Sequence, residues 1–174
     1  MITRSISDYE NEIVYQIMIA ELCFNLSKDI PIKFGVGDHI YPYLFNLNMV
    51  KGILILHSLL IPTGKEISVK NYIKENNSVP RKVGYPEFQR EIKEIKKRFE
   101  QITPWSLRNK VGAHLDSAFK HTDFSCAYLL PEKLDEFIRI TAALKKSFFK
   151  FTTHVESNSL LQIEKQLKEF LKSV

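Results

Sequence analysis

Apolar side chains at Tyr9, Ile13, Ile17, Ala20 and Phe24 recur every three or four residues, the spacing that gathers them on one face of a helix. Asp8 stands where a side chain can cap the free N–H groups of a first turn, so a helix is predicted over residues 8–28. Pro31, Gly35 and Gly37 break the pattern. A second helix, apolar on most of its faces, is predicted over residues 41–61 and stopped by Pro62 and Gly64.

Residues 62–86 mix punctuation with Lys65, Lys70, Lys74, Arg81 and Lys82, which reads as an exposed connection with one short helix near 69–74. Phe88, Ile92, Ile95, Phe99 and Ile102 then line one face of a third long helix. Its Arg90, Lys93, Lys96 and Lys97 are read as a solvated face. Thr103 followed by Pro104 has the form of an N-cap with proline at the first helical position, opening a helix that carries Trp105, Leu107, Val111 and His114.

Pro131 starts a further helix with Leu134, Phe137, Ile138, Leu144 and Phe148 inward. Leu160, Ile163, Leu167, Phe170 and Val174 form the seam of a last one. Helical periods throughout, with no strand alternation and no internal repeat, predict a single all-α domain over residues 1–174, a compact up-and-down bundle of five to six helices.

Composition narrows the class. A chain of 174 residues with 44% hydrophobic content can bury a core without staples. Two cysteines, Cys23 and Cys126, are too few for a disulfide framework, and with no basic-then-apolar leader at the start the expected compartment is the reducing cytoplasm. The greasiest stretch, MVKGILILHSLLIP, is interrupted by Lys51, Gly52 and His57 and falls short of the ~20 apolar residues that cross a bilayer, so no membrane partner is expected. A net charge of +5 permits a polyanionic partner without requiring one.

The chemistry concentrates in LRNKVGAHLD, residues 107–116. Arg108 offers a permanent charge and a planar fork suited to phosphate. His114 can give or take a proton near neutral pH. On a regular helix the two lie about 9 Å apart along the axis and about 120° apart around it, so one copy makes a loose site and two copies across a twofold axis make a closer one. The free N–H groups of a helix opening at Pro104 would favour an anion beside Arg108. Lys110, on the same face as His114, can add charge, and Asn109 can orient the imidazole or a phosphate oxygen.

The string RNKVGAH resembles the signature of the HEPN superfamily (higher eukaryotes and prokaryotes nucleotide-binding), in which arginine, a polar residue and, a few positions on, histidine lie on one helix. Its phrasing, RNKxxAHxD, is similar to the abortive-infection branch. The resemblance is sharp over about ten residues and architectural over the rest. It implies a helical homodimer and a metal-independent endoribonuclease of toxin–antitoxin or phage-defence type. Arg108, Asn109 and His114 would be catalytic, the products would be a 2′,3′-cyclic phosphate and a 5′-hydroxyl, and an antitoxin protein would be a possible partner. Asp116 stands where some family toxins carry a tyrosine that accepts adenylate, so silencing by that route is not expected.

RNA is the expected substrate, bound by Lys110 within the motif and, outside the site, by Lys70, Lys74, Arg81 and Lys82, and no cofactor or metal is expected. Three other readings compete. Arg108 and His114 can be a structural polar network. His114, Asp116, His121, Asp123 and Cys126 crowd together, but with spacings that match no standard zinc pattern. A catalytically inactive helical module can bind nucleotide, RNA or a protein in the same groove. His57 reads as a core histidine, and Glu21 as a flank residue near an apolar stripe that can also orient an imidazole.

Overall fold

A computed structural model of the chain describes residues 6–29, 40–103 and 131–152, together with Lys165 and Glu169. The described residues are helical, with no strand among them: α1 (Ile6–Asp29), α2 (Ile40–Leu60), the short α3 (Val69–Glu75), α4 (Tyr85–Ile102) and α5 (Pro131–Thr152). Lys165 and Glu169, both off the predicted terminal seam, are helical and exposed.

Helix α1 opens two residues before the expected cap, so Asp8 sits inside the first turn, where its charge complements the helix dipole. Its burial is broader than a single stripe. Val14, Met18, Cys23 and Ser27 are buried along with the predicted face, because α1 packs against both α2 and α5. Gly52 allows the tight α1–α2 approach: a Cβ there would stand 2.7 Å from Phe24 Cζ and 2.8 Å from Cε1. The Phe24 ring is held from behind, stacked on Phe137 at 5.4 Å between centroids and 6° between planes.

Three pairings give the directions. Ser27 donates to the Phe45 carbonyl while Phe24 meets Gly52, so α1 and α2 are antiparallel. Lys28 pairs with Asp135 and Glu21 with Lys145, so α1 and α5 are antiparallel. Arg98 pairs with Glu136 and Glu87 with Lys150, so α4 and α5 are antiparallel as well. This is the up-and-down bundle that the periodicity predicts.

Aromatic rings fill two parts of the core. Phe99 meets Phe137 edge-on at 6.2 Å, and His57 meets Phe99 edge-on at 6.3 Å, extending the Phe24–Phe137 stack. Elsewhere Phe148 joins Tyr72 to Phe88, which stacks on Phe151 at 4.2 Å. On α5 the inward row includes Ile140, fully buried, whereas the predicted Ile138 is only half-buried beside it.

The connection at 62–86 is less exposed than its composition suggests. Ser68 caps α3 by accepting a hydrogen bond from the Asn71 N–H at 3.1 Å, and the Asn71 amide donates to the Gly64 and Glu66 carbonyls, both at 2.8 Å. Val79, in a 3-10 turn at Val79–Arg81, is fully buried. Gly84, at φ 82, turns the chain into α4 through the left-handed region that favours glycine.

Tyr72, also fully buried, donates its hydroxyl to the Glu10 carboxylate. Burial, then the hydrogen bond to Glu10 and its negative charge, push the Tyr72 phenol well above its ordinary range. An unfolded tyrosine loses its proton near about pH 10. Above that pH the unfolded chain sheds a proton that the folded one keeps, so stability present below it declines as pH rises. Urea unfolding followed from pH 9 upward is expected to show a steeper loss for the wild type than for Tyr72→Phe; equal slopes would remove Tyr72 as the cause.

Candidate functional site

Arg108, Asn109, Lys110 and His114 lie outside the described residues, as do His121, Asp123 and Cys126. The described residues on either side of that segment are close to one another. Helix α4 ends at Ile102 and α5 begins at Pro131, at the end of the bundle where Arg98 Nη2 meets Glu136 Oε1 at 2.7 Å and Phe99 meets Phe137. Thr103 closes α4 with its N–H on the Phe99 carbonyl at 3.0 Å, and its buried hydroxyl has no hydrogen-bond partner among the described residues. The N–H groups it was expected to cap lie beyond the described residues.

Of the four cations expected to hold RNA from the connection, Lys70, Lys74 and Arg81 are exposed. Lys82 is committed inside the protein. Its ammonium lies 2.8 Å from Glu10 Oε1 and 3.3 Å from the Tyr72 hydroxyl, and 5.6 Å from the centre of the Phe151 ring. The largely buried Glu10 carboxylate needs a cation there, and the return of the chain after the 3-10 turn supplies it.

Lys70 belongs instead to a groove of about 660 Å³ walled by the end of α2, by α3 and by α4. Arg90, Lys93 and Lys96 stand on its α4 side, the first two exposed and the third half-buried. Leu60, Ile73 and Ile92 contribute apolar surface, and Tyr85 lines the part nearest the start of α4. None of the described residues lining it is a carboxylate. Lys96 has a surface partner in Glu100 at 3.6 Å, a weak pair that leaves most of its charge available.

Sequence reading assigned Arg90, Lys93 and Lys96 to a solvated face and overlooked their union with Lys70. The available signal was their three-residue spacing, which keeps them along one side of α4, beside a short helix carrying a further lysine.

A second groove, of about 570 Å³, runs between α4 and α5. Arg90, Lys146 and Lys150 share it with Glu91 and Glu94, so it has no preference for one sign of charge. The buried Ser147 hydroxyl in its lining has no hydrogen-bond partner among the described residues.

His57 is buried in the aromatic stack, as expected of a core histidine. Glu21 orients no described imidazole and binds Lys145 at 2.6 Å. The Cys23 thiol is free and buried, with its pKa raised by that burial against the opposing pull of Lys51. Among the described residues no helix is long and apolar enough to cross a membrane, and no group of three His, Cys, Asp or Glu could hold a metal ion.

Comparison of the chain with protein-family models, with curated proteins and with solved structures found no match.

Proposed function

We propose that the chain is a metal-independent endoribonuclease of the HEPN type, acting as a homodimer in toxin–antitoxin or phage-defence biology. The observation that carries this reading is the string RNKVGAH, with Arg108, Asn109 and His114 at the spacing of that superfamily's signature. The helical architecture and a cationic groove with no carboxylate among its described lining residues support it.

In the proposed reaction His114 of one protomer accepts the 2′-hydroxyl proton while the 2′-oxygen attacks the adjacent phosphorus. The bond to the 5′-oxygen breaks, and the partner subunit's His114, protonated, donates a proton to that leaving oxygen. Arg108 offsets the negative charge that builds on the phosphorane oxygens. Asn109 positions the imidazole or a phosphate oxygen. The products are a 2′,3′-cyclic phosphate and a 5′-hydroxyl, and no metal is consumed or required.

The test is incubation of the purified protein with RNA in EDTA, followed by analysis of the new ends. Cleavage yielding cyclic phosphate supports the proposal; a wild type that leaves RNA intact, or an activity abolished by the chelator, defeats it. The second reading is a catalytically inactive module that holds RNA, nucleotide or a protein such as an antitoxin. It is favoured by the groove itself, whose four cations require none of the motif residues.

A further inference from the structure

We infer that the groove between α2, α3 and α4 is a track for single-stranded nucleic acid, separate from the RNKVGAH residues and independent of whether they catalyse. Two features of one surface point there. The first is charge. Lys70 faces Arg90, Lys93 and Lys96 across the groove, and no described carboxylate lines it. Arg90, Lys93 and Lys96 rise along α4 at intervals of about 4.5 Å, span about 9 Å of its axis and turn through about 120° around it, so Lys93 is central and Arg90 stands at the edge the groove shares with its neighbour. With flexible side chains, that is a reach suited to two or three successive phosphates of one strand rather than to a single anion.

The second feature is the floor. Half-buried Ile73 and Ile92, with half-buried Tyr85 at one end, give the groove accessible apolar surface, and the buried Leu60 lies behind them. A duplex keeps its bases stacked inside and would present only phosphates to this surface, leaving the apolar lining unused. A single strand can turn a base face onto the lining while its phosphates meet the lysines, the combination of charge and stacking by which such strands are held without sequence preference. An acidic protein segment would match the charge, but only a nucleic acid repeats a planar ring with every phosphate and can set one on the Tyr85 ring, so nucleic acid is the better fit.

Phosphate and base face are common to RNA and DNA, and both are needed as probes. In a His114→Ala background, which separates binding from cleavage, labelled single strands of about 10 nucleotides of each kind are titrated by fluorescence anisotropy across a salt series. Three neutralised phosphate contacts correspond to a change of about 2 in the slope of log affinity against log salt. The Lys70→Gln, Lys93→Gln, Lys96→Gln triple variant is therefore expected to flatten the slope by about that amount and to weaken binding at least tenfold at low salt. A control variant of equal charge change, Lys51→Gln, Lys65→Gln, Lys97→Gln, uses exposed residues that do not line the groove and is expected to keep most of the slope.

A duplex of the same sequence is expected to bind more weakly than the single strand, and whichever of RNA or DNA binds more tightly names the natural ligand. Equal losses in the two triple variants would reduce the effect to overall charge and overturn the inference. Duplex binding as tight as single-strand binding would overturn it, as would competition by polyglutamate as effective as that by an oligonucleotide of the same charge. RNA cleavage failing in EDTA while the groove variant still loses binding would sink the nuclease reading alone.

Discussion

Replacing His114 by alanine is expected to lower EDTA-resistant RNA cleavage by about 10²- to 10⁴-fold, the contribution that a positioned acid–base group makes to a proton-transfer step. The upper part of that range applies if both protomers contribute their imidazole to one cleft, since a single substitution in a homodimer then removes the base and the acid together. Arg108→Ala is expected to cost a comparable factor by leaving the phosphorane charge uncompensated.

Mixing the wild type with His114→Ala separates this arrangement from a site built within one chain. If each cleft needs both imidazoles, every heterodimer is impaired and cleavage falls as the square of the wild-type fraction, whereas sites confined to single protomers lose activity in simple proportion to it. The readout is cleavage rate against mixing ratio, with sedimentation confirming that the subunits exchange.

The largest expected loss of stability comes from Phe137→Ala. Phe137 is fully buried, stacked on Phe24 and struck edge-on by Phe99, so it joins α5 to both α1 and α4. Removing a ring from such a site costs about 3–5 kcal/mol, because neighbours on two other helices cannot both collapse into the space. For a chain of this size each kcal/mol lowers Tm by roughly 2–4 °C, so a drop of roughly 6–20 °C is expected in a thermal melt. Phe149→Ala, at a half-buried position on the same helix, should cost much less. Equal losses at the two positions would show that the stack has no special weight.

How the sequence encodes these features differs from one to the next. The helices α1, α2, α4 and α5 are visible as periods, because burial on one side of a helix writes a repeat of three and four into the chain. Partner number is not written there. A stripe reports one contact face, and α1 sits between α2 and α5, so the burial of Val14, Met18 and Cys23 appears only in the assembled bundle. On α5 the apolar pattern does not separate Ile138 from Ile140 for a related reason: only the packing against α1 and α4 places the inward row at 137, 140, 144 and 148.

The candidate site divides in the same way. RNKVGAH is a local string and can be read directly, although its residues lie outside those described. The cationic groove is not local, since Lys70 and Lys93 line one groove only because the fold brings α3 and α4 to the same surface. Lys82 shows the converse. By composition it belongs with the other loop cations, but its carboxylate partner, Glu10, is 72 residues away, a distance that no motif or period spans.

The close approach of Gly52 to Phe24 ties two positions into a reciprocal exchange of volume. A methyl group at 52 would gain about 0.5–1 kcal/mol of helix preference over glycine, but forcing it against a ring that is held from behind by Phe137 costs about 1–3 kcal/mol, so Gly52→Ala alone is expected to destabilise. Shortening the opposing side chain with Phe24→Leu opens room for that methyl, and the double variant should melt above the value expected from adding the two single losses, with a coupling of about 0.5–3 kcal/mol. The seam between the first two helices can thus drift in sequence only in matched steps, large for small on one side and small for large on the other.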